Sequence, residues 1–253
     1  MRFRLTVLAG AAAAFIGCST DEVGPTGFEP NQPSGRIRFV HAISDPARAS
    51  AINVTVDGVP LGVNLVYAGT TPTTTLPNPG VAPAPATLYY PAYAGNRQFA
   101  VRRTADTTVR ILDAAVPVTA DVDHTVIALG STTVTTLVLT DNNASPAAGN
   151  VKLRAVNAAT AAGNVDVYIT SPTADIVTIS PTFAGLAPRA ASAYVERAAG
   201  AARVRFTTAG TKTVVRDISL AATALPAGAI RTVLLLEAAA GGTPLTSAIL
   251  VDR

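Results

Sequence analysis

The chain has 253 residues, of which 49% are hydrophobic and 14% charged, so it can bury a core of one or two domains. Its formal net charge of +3 falls to +1 without Arg2 and Arg4, which lie in a segment that we expect to be removed. Because Lys and Arg form no cluster and do not alternate with aromatic residues, the composition argues against a nucleic-acid-binding protein.

The amino terminus has the pattern of an export signal. A cationic start precedes an uncharged run at 5–17, which is shorter than the roughly 20 apolar residues that cross a bilayer. The run ends in FIGC, which resembles the bacterial lipobox, although Phe15 stands where Leu is usual. We therefore predict a lipoprotein signal peptide at 1–17 and lipidation of Cys18. Residues 18–35, rich in Pro, Gly and polar groups, are predicted to be a flexible tether.

Lipidation of Cys18 would attach the chain to a membrane, since each buried acyl methylene contributes about 0.8 kcal/mol. Ser19 is not the Asp that retains lipoproteins in an inner membrane, so the outer membrane is favoured in a host with two membranes. The alternative is a buried free thiol in an N-terminal helix, which is disfavoured because no helical pattern continues after Thr20. Cys18 is the only cysteine, so disulfides do not stabilise this exported chain.

Two related halves follow, at 36–145 and 151–253, with a linker at 146–150. Each is the size of a small β-sandwich, and frequent turn residues separate its short predicted strands. We predict an all-β protein of two tandem antiparallel β-sandwich domains, immunoglobulin-like in architecture. The matched segments are RFVHA (38–42) with RAVNA (154–158), INVTVDG (52–58) with VDVYITS (165–171), YAGTTP (67–72) with FAGLAP (183–188), HTVIALG (124–130) with RTVLLLE (231–237), and LVLTD (137–141) with AILVD (248–252).

Alternation of apolar and polar residues, which is typical of half-buried strands, is clearest at 52–56 and 165–169. β-branched residues and the scarcity of charged helix formers favour strands over helices elsewhere. The other predicted strands are 36–42, 97–103, 108–112, 124–129 and 133–140 in the first half, and 151–157, 192–196, 202–207, 212–216, 230–236 and 246–251 in the second.

The halves differ most at 70–87, where the first half carries a Thr- and Pro-rich segment. Proline cannot donate a hydrogen bond to a sheet, so we expect an exposed, partly polyproline-like loop. It is either a tolerated surface insertion or a partner-contact loop with Tyr89, Tyr90 and Tyr93 as candidate anchors. Because these tyrosines alternate imperfectly, a core or sheet-face position is the preferred interpretation for them.

The histidines are the candidates for acid–base chemistry, and a catalytic triad needs one beside a carboxylate and a nucleophile. His41 ends a row of inward-facing residues, and its counterpart in the second half is Asn157. His and Asn share hydrogen bonding rather than proton transfer, so we predict that this pair of positions ties down the following loops. His124 is matched by Arg231, which indicates a surface position at the start of a strand. We predict no catalytic residue and no cofactor.

Two acidic segments carry oxygen ligands of the kind that calcium prefers. They are Asp121-Val122-Asp123 and Asp141-Asn142-Asn143. Neither has the ligand number or the glycine placement of a calcium loop, so solvated turns are the preferred interpretation and no metal site is predicted.

RFVHAISDPARASAINVTVDG, at 38–58, is similar to the opening of domain-of-unknown-function family 4397, and 154–168 resembles it again. The matching residues are Arg38, Val40, His41, Ala42, Asp45, Val54, Val56, Asp57 and Gly58, then Arg154, Val156, Ala158, Val165, Asp166, Val167 and Tyr168. The second copy departs by having Asn157 for His and no Asp-Pro. The resemblance implies exported, often lipid-anchored bacterial proteins with tandem β domains, and it brings no activity.

These observations support three hypotheses. The first is a non-catalytic cell-envelope lipoprotein, held at the membrane through Cys18, whose two repeats bind an envelope protein or glycan or have a structural role. The second is an adhesion or assembly subunit that uses exposed strand edges. The third is a hydrolase with an unrecognised site, for which the two histidines are the candidate bases.

Overall fold

A computed structural model of the chain describes residues 32–72 and 89–253. The predictions for Cys18, for the signal peptide at 1–17, for most of the tether and for the middle of the loop at 70–87 lie outside these residues. The described residues form an all-β structure whose four sheets make two sandwich-like halves, which confirms the predicted fold class.

The first half contains an inner sheet in the order β4-β1-β8-β9, with β5 also paired to β1, and an outer sheet in the order β3-β2-β6-β7. The N-cap Asp45 and Pro46 start its one helical turn. Its elements are β1 (Ser34–Ile43), α1 (Pro46–Ala49), β2 (Ala51–Val56), β3 (Val59–Val66), β4 (Thr70–Thr71), β5 (Tyr90–Tyr93), β6 (Gly95–Arg103), β7 (Arg110–Val118), β8 (Asp123–Gly130) and β9 (Thr135–Asp141).

The second half repeats this topology, with an inner sheet in the order β13-β10-β17-β18, β14 also paired to β10, and an outer sheet in the order β12-β11-β15-β16. Single 3-10 turns lie at Thr160–Ala162 and Ala222–Ala224. The strands are β10 (Asn150–Asn157), β11 (Val165–Thr170), β12 (Phe183–Leu186), β13 (Ala190–Ala191), β14 (Val195–Ala198), β15 (Ala202–Thr208), β16 (Val214–Leu220), β17 (Ile230–Leu236) and β18 (Thr246–Val251).

One strand pair in each inner sheet is parallel, which differs from the predicted antiparallel arrangement. β1 pairs with β8 from Arg36 opposite Asp123 to Ile43 opposite Gly130, and β10 pairs with β17 in the same way. The chain leaves the inner sheet after β1, builds the outer sheet and returns in its original direction. A parallel strand pair needs such a long crossover connection. The turn residues that separate neighbouring strands do not show which distant strands pair.

The inner sheets are buried on both faces, and this joins the two halves. Within each half, apolar side chains of the inner sheet face the outer sheet and form a separate core. A third core lies between the inner sheets and contains Val40, Ile127, Val156 and Leu234. Strands covered on both faces carry apolar residues on both, which explains the nearly continuous apolar runs in β8 and β17. Residues 33–72 and 89–253 belong to one compact unit.

The proposed match of YAGTTP with FAGLAP is wrong in register. Leu186 of β12 lies opposite Val165, as Leu65 of β3 lies opposite Ile52. The counterpart of 183–186 is therefore 62–65 rather than 67–70. The two segments were aligned through an Ala-Gly dipeptide that they share. This dipeptide occurs in turns as well as in strands, so it does not identify equivalent positions of the two halves.

The largest differences in length between the halves lie at two connections, of which the sequence revealed one. The described strands β4 and β5 are separated by residues 72–89, whereas β13 and β14 are separated by 192–194. At the other connection the second half has the longer segment: Asp57 and Gly58 join β2 to β3, whereas residues 171–182 join β11 to β12. The strands that were not predicted are β3, β4, β5, β12 and β13, which are short or interrupted by Pro and Gly.

Candidate functional site

The facing inner sheets bury a set of polar side chains that we call the paired network. Each half contributes one arginine, one threonine, one aspartate and one tyrosine, from equivalent positions of the two halves. All except Tyr194, which is half-buried, are buried in the described structure. The members are Arg38, Tyr89, Thr125 and Asp141 from the first half, and Arg154, Tyr194, Thr232 and Asp252 from the second.

Arg38 reaches from the first half to the second. Its Nη2 lies 2.6 Å from Oδ1 of Asp252, and its Nη1 donates to the carbonyl of Val251 at 2.8 Å. Its Nη2 also donates to Oγ1 of Thr125 at 2.7 Å, and its guanidinium carbon lies 4.8 Å from the ring centre of Tyr89. Burial opposes the charge of Arg38, but the facing carboxylates outweigh this effect and raise its pKa.

Arg154 makes the reciprocal contacts. Its Nη2 lies 2.6 Å from Oδ1 of Asp141, and its Nη1 donates to the carbonyl of Thr140 at 3.1 Å. Its Nη2 donates to Oγ1 of Thr232 at 2.9 Å, and its guanidinium lies 4.5 Å from the ring centre of Tyr194. Each half therefore supplies the cation that pairs with the other half's carboxylate.

Hydroxyl groups occupy the remaining carboxylate oxygens. The hydroxyls of Thr125 and Tyr89 donate to Oδ2 of Asp141 at 2.5 and 2.8 Å. Thr232 donates to Oδ2 of Asp252 at 2.7 Å, and Tyr194 at 3.2 Å. Burial raises the pKa of both tyrosine hydroxyls, so they remain donors. With both aspartates fully hydrogen-bonded, the arrangement suits the joining of two sheets rather than proton transfer.

His41 is completely buried and uses both ring nitrogens in backbone contacts. Its Nε2 donates to the carbonyl of Ala49 at 2.8 Å, and its Nδ1 accepts the N–H of Ile43 at 3.2 Å. These partners fix the neutral tautomer, and burial lowers the pKa of His41 to about 4. The ring lies edge-on to Tyr67. His41 thus contacts the segment that follows β1 and has no free nitrogen for a substrate.

Asn157 occupies the equivalent place in β10 and makes contacts of the same kind. Its Nδ2 donates to the carbonyls of Gly163 and Leu186 at 2.9 and 3.1 Å, and its Oδ1 accepts the N–H of Ala159 at 3.3 Å. His41 and Asn157 serve separate segments in separate halves, so they are equivalent positions rather than members of one site.

A second buried cluster surrounds Glu237, just after β17, and sequence reasoning missed it. Oε2 of Glu237 accepts the hydroxyl of Ser44, which belongs to the first half, at 2.7 Å. Oε1 accepts the hydroxyl of Thr160 at 2.5 Å and the N–H of Ala161 at 3.0 Å. Burial favours the neutral acid, but these hydrogen bonds prevail and the pKa of Glu237 is lowered. Glu237 therefore bridges the halves as an anion.

Three sequence interpretations need correction, because the residues concerned are buried. His124 was expected at the surface, but it is 4% exposed and its Nε2 accepts the N–H of Thr119. Asp123 and Asp141 were expected in solvated turns, but Asp123 is paired with Arg36 at 2.6 Å and Asp141 lies in the paired network. Their strands are covered by a neighbouring sheet, and a single strand's pattern does not show this.

Within residues 32–72 and 89–253, no three His, Cys, Asp or Glu side chains are grouped closely enough to hold a metal ion. No helix of the same residues has the length and hydropathy required to cross a membrane.

The sequence did contain a signal for the paired network. Three matched segment pairs keep a polar residue at the same place: Arg in RFVHA and RAVNA, Thr in HTV and RTV, and Asp in LTD and LVD. Polar residues retained on two-sided apolar strands indicate burial with a partner. Only the structure shows that each partner comes from the other half.

Comparison with known proteins identifies one family. The model described as "Domain of unknown function (DUF4397)" matches residues 35–168. The match covers the first half, the strand β10 and the start of β11, so it contains Asp141 and Arg154 and ends before Asp252. No curated protein matches the chain.

Proposed function

The chain belongs to the DUF4397 family, and we propose that it is a non-catalytic lipoprotein of the bacterial cell envelope. Cys18 carries the lipid, and the two β-sandwich halves act as one binding or structural module at the membrane surface, on the outer membrane in a host that has one. The paired network supports the proposal that the two halves act as one module, because its buried ionic groups join the halves. The anchoring part is supported by FIGC and the tether that follows it.

The second half is, in this proposal, a second copy of the family fold. The identical strand order of the two halves supports it, as do the equivalent positions of Arg38 and Arg154. The hydrolase hypothesis is disfavoured because backbone groups occupy both nitrogens of His41, and because His124 is buried with its Nε2 accepting the N–H of Thr119. The strand-edge hypothesis is disfavoured at β9 and β18. Arg154 donates to the carbonyl of Thr140 in β9, and Arg38 donates to the carbonyl of Val251 in β18, so these carbonyls are not available to an added strand.

Replacement of the cysteine tests the anchor. We expect Cys18→Ala to abolish incorporation of a labelled fatty acid and to leave an unprocessed precursor, because both steps need the thiol. Ser19→Ala is the matched control and should be lipidated and cleaved normally. Fatty-acid labelling, intact mass and fractionation of the envelope are the measurements. Normal processing and membrane recovery of Cys18→Ala would overturn the lipoprotein proposal.

A further inference from the structure

The segment between β11 and β12, residues 171–182, is an ordered insertion of the second half. Ile176 is buried, and Arg205 donates through Nη2 to the carbonyl of Ala174 at 2.6 Å. Lys212 donates through Nζ to the carbonyl of Ile179 at 2.5 Å. Long connections of this kind inside a compact fold are usually functional, and neither the network nor the anchor uses this one.

The two ends of the insertion form one wall of a cleft. Ser171 and Thr182 stand opposite β14, with the end of β11 between them, and the cleft has a volume of about 240 Å³. Among the described residues of the first half, the turn Asp57–Gly58 stands at this place and supplies no such wall. Pockets for drug-sized molecules are roughly 300–1,000 Å³, so this cleft suits a single small unit.

The lining of the cleft combines an aliphatic floor with hydrogen-bond donors. Ile169 and Val195 provide the floor. Oγ1 of Thr182 accepts the N–H of Ile169 at 3.0 Å, so its own hydrogen is available to a ligand. Arg197 is held at the rim because it donates to the carbonyls of Thr170 and Ala201, which still leaves it further N–H groups.

The lining of the cleft contains one carboxylate, that of Glu196, and one guanidinium, that of Arg197. The carboxylate of Glu196 is directed to the linker, where its Oε2 accepts the N–H of Ala147 at 3.1 Å and Nδ2 of Asn150 at 3.4 Å. Arg197 therefore remains as the cation beside the hydroxyls of Ser171 and Thr182. A complementary ligand has a carboxylate for the guanidinium, hydroxyls for the rim and a C–H face for the floor.

We propose that this cleft binds one acidic monosaccharide unit, a uronic acid, of an envelope glycan. The proposal rests on the proposed function, since it names the partner of the envelope module. A peptide carboxylate shares part of this chemistry, but the rim hydroxyls of Ser171 and Thr182 match a sugar ring better than a peptide chain.

The test uses the full chain in detergent micelles with labelled Ile and Val methyl groups. Titration with glucuronate should shift the methyl signals of Ile169 and Val195 and leave those of Val54, in the first half, unchanged. Glucose at the same concentration should shift them far less, because it lacks the carboxylate. Arg197→Gln should weaken glucuronate binding roughly tenfold or more, since a charge-assisted hydrogen bond is lost.

Arg102→Gln is the matched control, because Arg102 lies in the first half and pairs there with Asp113, and it should bind as the unaltered chain does. Ser171→Ala removes an exposed rim hydroxyl without touching the core and should weaken binding, which keeps the test valid if Arg197→Gln is unstable. Absent shifts, equal shifts with glucose, or tighter binding of a short peptide carboxylate would overturn the assignment. Lipidation of Cys18 is measured independently, so failure of one proposal is distinguishable from failure of the other.

Discussion

His41 and Asn157 show how one position can keep its geometry while its chemistry changes. Both lie near the end of an inner-sheet strand, in β1 and β10, and hydrogen-bond backbone groups of the segments that follow. Asn has no proton to gain near neutral pH, whereas a buried His does. We therefore expect the acid sensitivity of folding at this position to come from His41 in the first half and not from Asn157 in the second.

Acidification should destabilise the protein through His41. Its pKa is about 4 in the folded chain and 6.5 in an unfolded one. Because the folded pKa is the lower, protons bind the unfolded state more tightly, and stability is lost as the pH falls from 6.5 towards 4. Between pH 7 and pH 5 we expect the free energy of unfolding to fall by about 2 kcal/mol from this group.

Urea unfolding at the two pH values measures this effect. His41→Gln should remove that part of the pH dependence. An unaltered difference between pH 7 and pH 5 in His41→Gln would contradict the assignment of the acid sensitivity to His41.

At the scale of elements, the ends of β8 and β17 differ although the strands are equivalent. Glu237 follows β17 and bridges Ser44 and Thr160. Its counterpart is Gly130, where φ is +108° and a Cβ atom would lie 2.2 Å from the carbonyl of Thr133. A side chain cannot be accommodated there, so the bridge exists at one strand end and not at the other.

Glu237→Gln should lower the free energy of unfolding by about 1–3 kcal/mol, because an amide group cannot accept on both sides and leaves a buried donor unpaired. Glu196→Gln is the exposed control and should change it by less than about 0.5 kcal/mol. Chemical denaturation at neutral pH is the measurement. Equal effects of the two substitutions would show that the bridge between the halves adds nothing.

Strand positions were largely predictable, and strand partners were not. Alternation located β2 and β11, and apolar runs located β8 and β17, because side-chain pattern follows local burial. The parallel pairing of β1 with β8 depends on the path of some 80 intervening residues, which local patterns do not encode. The loop contacts of His41 follow from its place at a strand end, whereas Glu237 has no counterpart in the repeat and could not be inferred from it.

At the scale of the whole molecule, the paired network makes each half depend on the other. Arg38 and Asp252 are 214 residues apart in sequence, and both are buried. A buried ion pair adds little over apolar packing, but loss of one partner leaves an uncompensated charge. The network therefore specifies how the inner sheets meet, and the apolar core between them supplies the larger share of the stability.

Arg38→Met should lower the free energy of unfolding by about 3–5 kcal/mol, because it leaves Asp252 buried without its cation. Arg102→Met, which breaks a more exposed pair with Asp113, should cost about 0.2–1 kcal/mol. Since Asp252 belongs to the second half, the loss should reach both halves. Amide hydrogen exchange should accelerate equally at Val54 and at Val204, which lie in the two outer sheets. Acceleration at Val54 alone would mean that the halves unfold independently, and the network would then be a contact between two domains rather than the centre of one folding unit.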